Sequence, residues 1–376
     1  MRKILRILLL RPVLWAAAKF SSKPQKEKIF KALTKLFKNI IKHPSKKGLV
    51  IPFELNAGKF IIFSDQHKGR RNGADDFILA EPNYLAALDF YNNNDYCFIN
   101  LGDSEELWEN RMWQVKKKNT ATFEAEKKFL EKNNYIKIYG NHDLYWNTSP
   151  FASMHLKEMY GESIRVYEGA VLETLVSRQS TFCSPLPIDY SPLAIFLTHG
   201  HQGDAQSDGN KFSKFFVAWI WAPLQALLKI NPNTPAYNSE KKTLHNSMMY
   251  EWSSEQKNML LITGHTHQPV FKSLTVLEKL YKEFQLAEKD KDAQQLKVLL
   301  DEIKKREKEF TAVASDYMSM KPSYFNSGCC CFSDGDITGI EIEGGYIRLI
   351  KWCLKDGKPE RHLLEEILLV DLAAKL

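Results

Sequence analysis

Seven side chains that can bind metal ions stand at the ends of apolar, strand-like runs in this sequence. They are carboxylates, a carboxamide and imidazoles: Asp65, His67, Asp103, Asn141, His199, His265 and His267. Glycines stand beside most of them, as in Gly264-His265-Thr266-His267, where they let the backbone turn sharply and approach closely. Because carboxylates and imidazoles are the usual protein ligands of Mn, Fe and Zn, this pattern predicts a metal site.

The elements that must position these residues alternate between short strands and helices. Buried strands are predicted in "KFIIFSDQH", "DYCFINLGD", "YIKIYGNHD", "LAIFLTHGH" and "LLITGHTH", and stretches with helical spacing of apolar residues stand between several of them. This alternation predicts an α/β sheet, with the ligands converging at the carboxyl ends of its strands. Residues 205–258 and 273–310 are predicted helical insertions, and the alternating pattern around Gly344-Gly345 predicts a β-hairpin.

The first fifty residues are strongly basic. They contain fourteen Lys or Arg and one acid, whereas the rest of the chain contains 38 bases and 44 acids. No apolar run among them approaches the roughly 20 residues that span a bilayer. Residues 28–42, "KIFKALTKLFKNIIK", place apolar residues on one helical face and lysines on the other. We predict a basic amphipathic leader over 1–50 that binds an anionic membrane surface, followed by one domain over 51–376. Packing of this helix on the domain is the alternative.

Composition narrows the class of protein. The chain of 376 residues is 44% hydrophobic and 26% charged, as in a globular protein. Its six cysteines lack the spacing of a disulfide framework or a zinc motif, which favours a reducing, cytoplasmic compartment. The adjacent Cys329, Cys330 and Cys331 are interpreted as small buried side chains. The acidic body argues against a nucleic-acid partner, and nothing in the sequence indicates an oligomeric state.

The order of the ligand motifs resembles that of the calcineurin-like metallophosphoesterases. Between residues 59 and 270 the chain contains DxH, GD, GNHD, a histidine before glycine, and GHTH, in the order of that superfamily. The resemblance implies a four-layer α/β/β/α sandwich with two divalent metal ions, manganese first, with iron and zinc as alternatives. It implies two ligand sets that share one carboxylate: Asp65, His67, Asp103 and His267 for one ion, and Asp103, Asn141, His199 and His265 for the other.

Two such ions would support hydrolysis of a phosphoester or pyrophosphate by attack of a metal-bridging hydroxide. His142, within the GNHD motif, is the group predicted to hydrogen-bond the phosphoryl group or protonate the leaving group. The resemblance supports a pairing in which Asp143 orients this imidazole. His201 is interpreted either as an ordinary loop residue or as a residue that supports the metal site.

A more specific resemblance is carried by "GDSEELWE", in which Glu106 and Trp108 follow Asp103 in the pattern GDxxExW. This is similar to the UDP-2,3-diacylglucosamine hydrolases, which cleave a pyrophosphate in a lipid A precursor at the bacterial inner membrane. Those enzymes carry an apolar helical lid where residues 205–258 stand here, but they usually have arginine at the position of His142 and lack a counterpart of 273–310. We therefore expect a phosphoesterase that acts on a phosphorylated small molecule or lipid at the inner face of the cytoplasmic membrane. Alternatives are that lipid A hydrolase, a protein phosphatase, or a non-catalytic scaffold of the same fold.

Overall fold

Twelve strands form two β-sheets in the computed structural model, which describes residues 24–175, 192–204, 239–289 and 320–376, with a few positions between 295 and 303. In chain order they are β1 (Gly48–Phe53), β2 (Lys59–Phe63), β3 (Cys97–Leu101), β4 (Tyr135–Ile138), β5 (Val166–Tyr167), β6 (Gly169–Thr174), β7 (Ala194–Thr198), β8 (Met259–Thr263), β9 (Tyr324–Asn326), β10 (Ile337–Glu343), β11 (Tyr346–Lys355) and β12 (Lys358–Leu368).

Nine helices are described with them. They are α1 (Lys26–Lys42), α2 (Glu81–Asn93), α3 (Met112–Lys118), α4 (Thr120–Glu131), α5 (Tyr145–Thr148), α6 (Ala152–Tyr160), α7 (Ser239–Ser254), α8 (Val276–Lys289) and α9 (Leu369–Ala373). Within the described ranges, no helix has the length and apolar character required to traverse a bilayer.

The two sheets bring two groups of parallel strands together. The seven-stranded sheet has the order β12-β11-β10-β2-β3-β4-β5, and β2, β3, β4 and β5 run parallel in it. The five-stranded sheet has the order β1-β6-β7-β8-β9, and β7, β8 and β9 run parallel. The predicted hairpin at the C-terminal end is confirmed, because β10 pairs antiparallel with β11 across Gly344-Gly345.

Helices cover the outer face of each sheet, and the inner faces pack on each other. The core between the sheets consists of aliphatic side chains from both, such as Ile62 and Leu101 from one and Leu197 and Ile262 from the other. Helix α2 packs on the outer face of the seven-stranded sheet, and helices α1 and α7 pack on the five-stranded sheet. The predicted four-layer α/β/β/α architecture is therefore confirmed.

The apolar face of α1 packs against the protein. Ile29, Leu33, Leu36 and Ile40 are buried at helical spacing and contact residues of β6 and β7. Strand β1 begins at Gly48, so the boundary predicted at residue 50 falls inside a strand of the five-stranded sheet. Helix α1 packs on the domain because the outer face of the five-stranded sheet is apolar and contacts the apolar face of the helix. A membrane contact by α1 would have to use its lysine face, and residues 1–23 lie outside the described ranges.

The predicted insertions are described in part. Residues 239–254 form α7, which agrees with the helix predicted within 205–258, whereas 205–238 lie outside the described residues. Helix α8 accounts for the first part of the charged segment 273–310, and nearly all of its later positions also lie outside them.

Candidate metal centre

All seven predicted ligands follow a strand within a few residues, and five strands contribute them. Asp65 and His67 follow β2, Asp103 follows β3, and Asn141 follows β4. His199 follows β7, and His265 and His267 follow β8. Since neighbouring parallel strands end at the same edge of a sheet, the loops after β2, β3 and β4 meet there, and those after β7 and β8 meet opposite them.

One group of ligand atoms surrounds Asp65. Its Oδ1 lies 3.1 Å from Nε2 of His267 and 3.8 Å from Nε2 of His67. The two imidazole Nε2 atoms are 3.3 Å apart. Nε2 of His67 also lies 3.8 Å from Oδ2 of Asp103. These four side chains are buried, so the structure brings together the first predicted ligand set.

A second group surrounds Asp103. Its Oδ2 lies 3.1 Å from Nε2 of His199, and ligand atoms of Asp103, His199 and His265 all lie within 4.8 Å of one another. Asn141 is next to this group, because the backbone N–H of His142 donates to Oδ1 of Asp103 at 2.7 Å. Asp103 therefore contacts both groups, as a shared ligand would.

Buried side-chain atoms without a hydrogen-bond partner occur at several places among the described residues, and three of them belong to predicted ligands: Oδ1 of Asp65, Oδ1 of Asn141 and Nε2 of His199. Such an atom costs about 1–3 kcal/mol when it is left unsatisfied. These three come from separate strands and lie in the cluster described above. Lone pairs of carboxylate, amide and imidazole that face one another are the donor set of a divalent metal ion. The residues therefore fit the binding of such ions.

The backbone is strained at five of the seven predicted ligands. Positive φ angles, uncommon for residues other than glycine, occur at Asp65 (55°), His67 (50°), Asp103 (51°), His265 (67°) and His267 (58°). Conformations of this kind cost of order 1–3 kcal/mol and persist where the surrounding structure enforces them, often at functional sites. Gly140 removes a further obstacle, since a Cβ there would overlap the Asp103 carboxylate.

Charges in the cluster keep the carboxylates ionised. Burial alone would raise the pKa of Asp65, but the charges of His267 and His199 outweigh burial and hold that pKa well below its ordinary value. Burial also opposes the charged form of His199, yet Asp103 and Asp65 raise its pKa to about 9. His265 differs, because burial and neighbouring histidines hold its pKa well below the ordinary value. Its neutral imidazole can donate a lone pair to a metal ion.

Hydrogen bonds on the far side of two of the predicted ligand histidines fix their orientation. Nδ1 of His199 donates to the carbonyl of Leu101 at 2.9 Å, so Nε2 is the ring nitrogen that faces Asp103. Nδ1 of His67 lies 2.9 Å from Oε2 of Glu106. Partners of this kind set the tautomer of metal-binding histidines and raise their basicity.

The carboxylate that contacts His142 is Glu106, whose Oε2 lies 2.6 Å from Nδ1 of that imidazole. This differs from the expected pairing with Asp143. The Asp143 carboxylate instead accepts hydrogen bonds from the backbone N–H groups of Gly140 (2.6 Å) and Ser104 (2.9 Å). Those two amides belong to the loops after β4 and β3, so Asp143 holds the loops together.

Trp108 completes the surroundings of His142. Its ring stacks on the imidazole with a centroid distance of 4.4 Å and an interplanar angle of 16°. Its Nε1 donates to the carbonyl of Asn141. The residues of the GDxxExW pattern therefore hold His142 from two directions, through Glu106 and through Trp108.

A buried group of four charges lies next to the loops that carry the ligands. It comprises Lys68, Glu105, Lys137 and Glu126, all fully buried. Glu105 accepts from Lys68 at 3.3 Å and from Lys137 at 2.9 Å, and Lys68 also donates to Glu126. Because Lys68 follows His67 and Glu105 lies two residues after Asp103, this charge network fixes the two loops relative to each other.

Two further histidines lie beside the cluster. His201 is buried, its ring lies 5.4 Å from that of His199, and burial lowers its pKa to about 3. This position fits the supporting role that the sequence left open. The ring of His245, on α7, lies 5.1 Å from that of His265. Sequence reasoning missed His245, because a single histidine in a helical pattern gives no signal.

Comparisons with known proteins give little further information. No family model matches the chain, and no curated protein matches it. Among solved structures, the chain is similar to vacuolar protein sorting 29 from Cryptosporidium parvum, with 11% sequence identity and a TM-score of 0.31 over 83% of this chain and 99% of that chain. A TM-score of this size supports no assignment, so the architecture and the metal centre rest on the geometry described above.

Proposed function

We propose that this chain is a phosphoesterase that depends on two divalent metal ions. The proposal is carried by the convergence of unpartnered buried donor atoms from Asp65, Asn141 and His199 at the ends of three strands. One ion would be held by Asp65, His67, Asp103 and His267, and the other by Asp103, Asn141, His199 and His265. When bound, such ions offset the charge of a phosphoryl group and activate water as a nucleophile near neutral pH.

Side chains of the protein itself would bind the phosphoryl group and protonate the leaving group. Glu106 occupies Nδ1 of His142, so Nε2 is the ring atom available to a substrate. The side chain of His142 is 23% exposed, whereas those of the ligand His199 and of Asp65 are fully buried. We infer that His142 hydrogen-bonds the phosphoryl group or donates a proton to the departing oxygen, a step typically worth about 10²–10⁴-fold in rate. Glu106 and Trp108 hold the imidazole in place for this step.

For the substrate, we propose a lipid-linked or nucleotide-type phosphoester or pyrophosphate at the cytoplasmic face of a membrane. The exposed lysines of α1 support a contact with anionic lipid headgroups. All described cysteines are free thiols, which agrees with a reducing compartment. A narrower candidate is hydrolysis of UDP-2,3-diacylglucosamine, which is supported by the GDxxExW pattern that Glu106 and Trp108 complete, although His142 stands where those enzymes usually have arginine.

Hydrolysis assays test the proposal. Purified protein with added Mn²⁺ would be assayed on bis(p-nitrophenyl) phosphate, p-nitrophenyl phosphate and UDP-2,3-diacylglucosamine, with Asp103→Asn as the inactive control. We expect metal-dependent turnover of at least one substrate by the wild type and none by the variant. Equal release of product by both proteins, or no turnover of any of the three with any added divalent ion, would contradict the proposal.

A further inference from the structure

An apolar and basic surface lies on α3 and α6, outside the candidate metal centre. Trp113 on α3 and Phe151 at the start of α6 are each 60% exposed, more than any other large apolar side chain among the described residues, and Met154 on α6 is 50% exposed. Single exposed apolar side chains are ordinary, whereas a group of them with polar residues at its margin commonly marks a contact surface.

Contacts between the two helices bring these side chains onto one surface. Nζ of Lys116 donates to Oε2 of Glu158 at 2.9 Å, so α3 and α6 lie side by side. Trp113, Lys116 and Glu158 line a groove of about 260 Å³ between them. Met154 precedes Glu158 by four residues, which places both on the same face of α6. Phe151 precedes Met154 by three residues and extends this face towards the start of the helix.

The charge of this surface is positive. Helix α3 contains three lysines and no acidic residue, although the chain beyond residue 50 has more acids than bases. Lys117 and Lys118 are exposed, and Glu158, the acid that lines the groove, is paired with Lys116. Exposed tryptophan beside lysines suits a membrane–water interface, where the indole ring lies among the headgroups and the lysines contact anionic phosphates.

The position of this surface fits a substrate held in a membrane. Helix α3 begins four residues after Trp108, whose ring stacks on His142. Tyr145, three residues after His142, forms a hydrogen bond of 2.8 Å with His155 of α6. The surface therefore borders the loops that carry the proposed proton donor and its stacking partner. A lipid-linked substrate could reach this edge of the metal centre without leaving the bilayer surface.

We propose that the surface formed by Trp113, Phe151, Met154, Lys117 and Lys118 binds an anionic phospholipid bilayer. The three apolar side chains enter the headgroup region, and the two lysines contact the phosphates around them. This inference rests on the proposed action at a membrane, and it adds a contact surface separate from the lysine face of α1.

Vesicle flotation of the full-length protein tests the proposal. The probes are vesicles of phosphatidylcholine with phosphatidylglycerol and vesicles of phosphatidylcholine alone. We expect the wild type to bind the anionic vesicles more tightly. Trp113→Ser and Phe151→Ser should each weaken that binding on the order of 10-fold. Changing Lys117 and Lys118 to Gln should weaken it about 30-fold. Leu354→Ser, at a 48% exposed leucine of β11, is the matched control and should bind as the wild type.

A second measurement separates insertion from a purely electrostatic contact. With brominated phospholipids in the anionic vesicles, the wild type should lose more tryptophan fluorescence on binding than Trp113→Phe, because bromine quenches only a ring that lies in the lipid. Equal quenching of the two proteins would show that Trp113 stays outside the bilayer and would overturn the proposal.

The outcomes are distinguishable from those of the proposed function. Hydrolysis of bis(p-nitrophenyl) phosphate, which is soluble, should be the same in the wild type and the surface variants, since these side chains lie outside the metal centre. Three flotation results would overturn the assignment of this surface while metal-dependent turnover persists: no binding of the wild type to either vesicle, equal binding to both, or surface variants that bind as the wild type. Absence of turnover in the wild type would contradict the proposed function alone.

Discussion

Glu106 contacts two histidines with one oxygen atom, and this places the proposed proton donor next to a predicted metal ligand. Oε2 lies 2.9 Å from Nδ1 of His67 and 2.6 Å from Nδ1 of His142. Burial would raise the pKa of Glu106, but the charges of both histidines outweigh it and lower the pKa to about 2. Glu106 therefore remains an anion that orients both rings at any pH near neutrality.

Replacing His142 separates its role from metal binding. We expect His142→Ala to retain its metal ions, because this side chain is not among the ligands, and to lose about 10²–10⁴-fold in turnover. Metal analysis and initial-rate kinetics check the two halves of this expectation. His155→Ala is the matched control, since His155 pairs with Tyr145 at 2.8 Å and contacts no predicted ligand. Normal turnover by His142→Ala would refute its assignment as the proton donor.

At this scale the sequence predicts which residue types meet but not which atoms pair. The clustering of the seven predicted ligands could be expected because each follows an apolar strand. Glu106 and Asp143 both stand in loops after strands, and both were available to His142. Their pairing depends on the turns taken by those loops, where Asp103 adopts a positive φ. No local pattern in the sequence encodes that choice.

At the scale of elements, α1 shows how one pattern fits two environments. Alternating apolar and lysine positions predict an amphipathic helix whether its apolar side meets lipid or a protein sheet. The structure shows that Ile29, Leu33, Leu36 and Ile40 pack on the five-stranded sheet. The sequence could not decide this, because the partner surface is formed by strands more than a hundred residues away.

This packing predicts that shortening one buried side chain of α1 lowers the stability of the protein. Leu33 is fully buried, so Leu33→Ala should lower the free energy of unfolding by about 2–5 kcal/mol. Lys35→Ala, which changes an exposed position of the same helix, should shift it by less than about 0.5 kcal/mol. Chemical denaturation measures both. Equal stability of wild type and Leu33→Ala would show that α1 is not part of the domain core.

The buried charge network predicts a dependence of stability on pH. Burial would raise the pKa of Glu126, but Lys68 and Lys137 outweigh it and lower the pKa. A lowered pKa stabilises the fold above about 4.5, the ordinary value, and this contribution is lost as pH falls below it. Glu126→Gln should cost about 3–5 kcal/mol near neutral pH, because it removes one partner of a buried pair.

Denaturation of both proteins at several pH values checks this expectation. The gap between wild type and Glu126→Gln should narrow as the pH falls below about 4.5. Glu124→Gln, at a neighbouring exposed position of α4, is the matched control and should behave as the wild type. A gap that stays constant down to low pH would contradict the assigned charge of Glu126.

At the scale of the whole molecule, the two-sheet architecture could be predicted from motif order, whereas the pairing of strands distant in the chain could not. Alternating strands and helices gave the α/β class, and local alternation gave the β10–β11 hairpin. The pairing of β10 with β2 joins residues about 280 positions apart in the chain. Such long-range pairing depends on the packed core between the sheets, and no short segment specifies it.

The proposed membrane contact belongs to this scale as well. Lys31, Lys35 and Lys38 are exposed on α1, and each basic residue near an anionic surface contributes about 1 kcal/mol. Changing the three to Gln should weaken binding to anionic vesicles by about 100-fold. The control changes Lys127, Lys128 and Lys132, at and just beyond the end of α4, and should bind as the wild type. Vesicle flotation measures this, and unchanged flotation of the α1 variant would exclude a contact through this face.

The metal content of the purified protein tests the central claim most directly. After reconstitution with excess divalent ions and removal of free metal, elemental analysis should find two ions per wild-type chain and fewer in Asp103→Asn, since Asp103 contacts both ligand groups. A wild-type protein without a stoichiometric ion, or an Asp103→Asn variant that keeps both, would contradict the account.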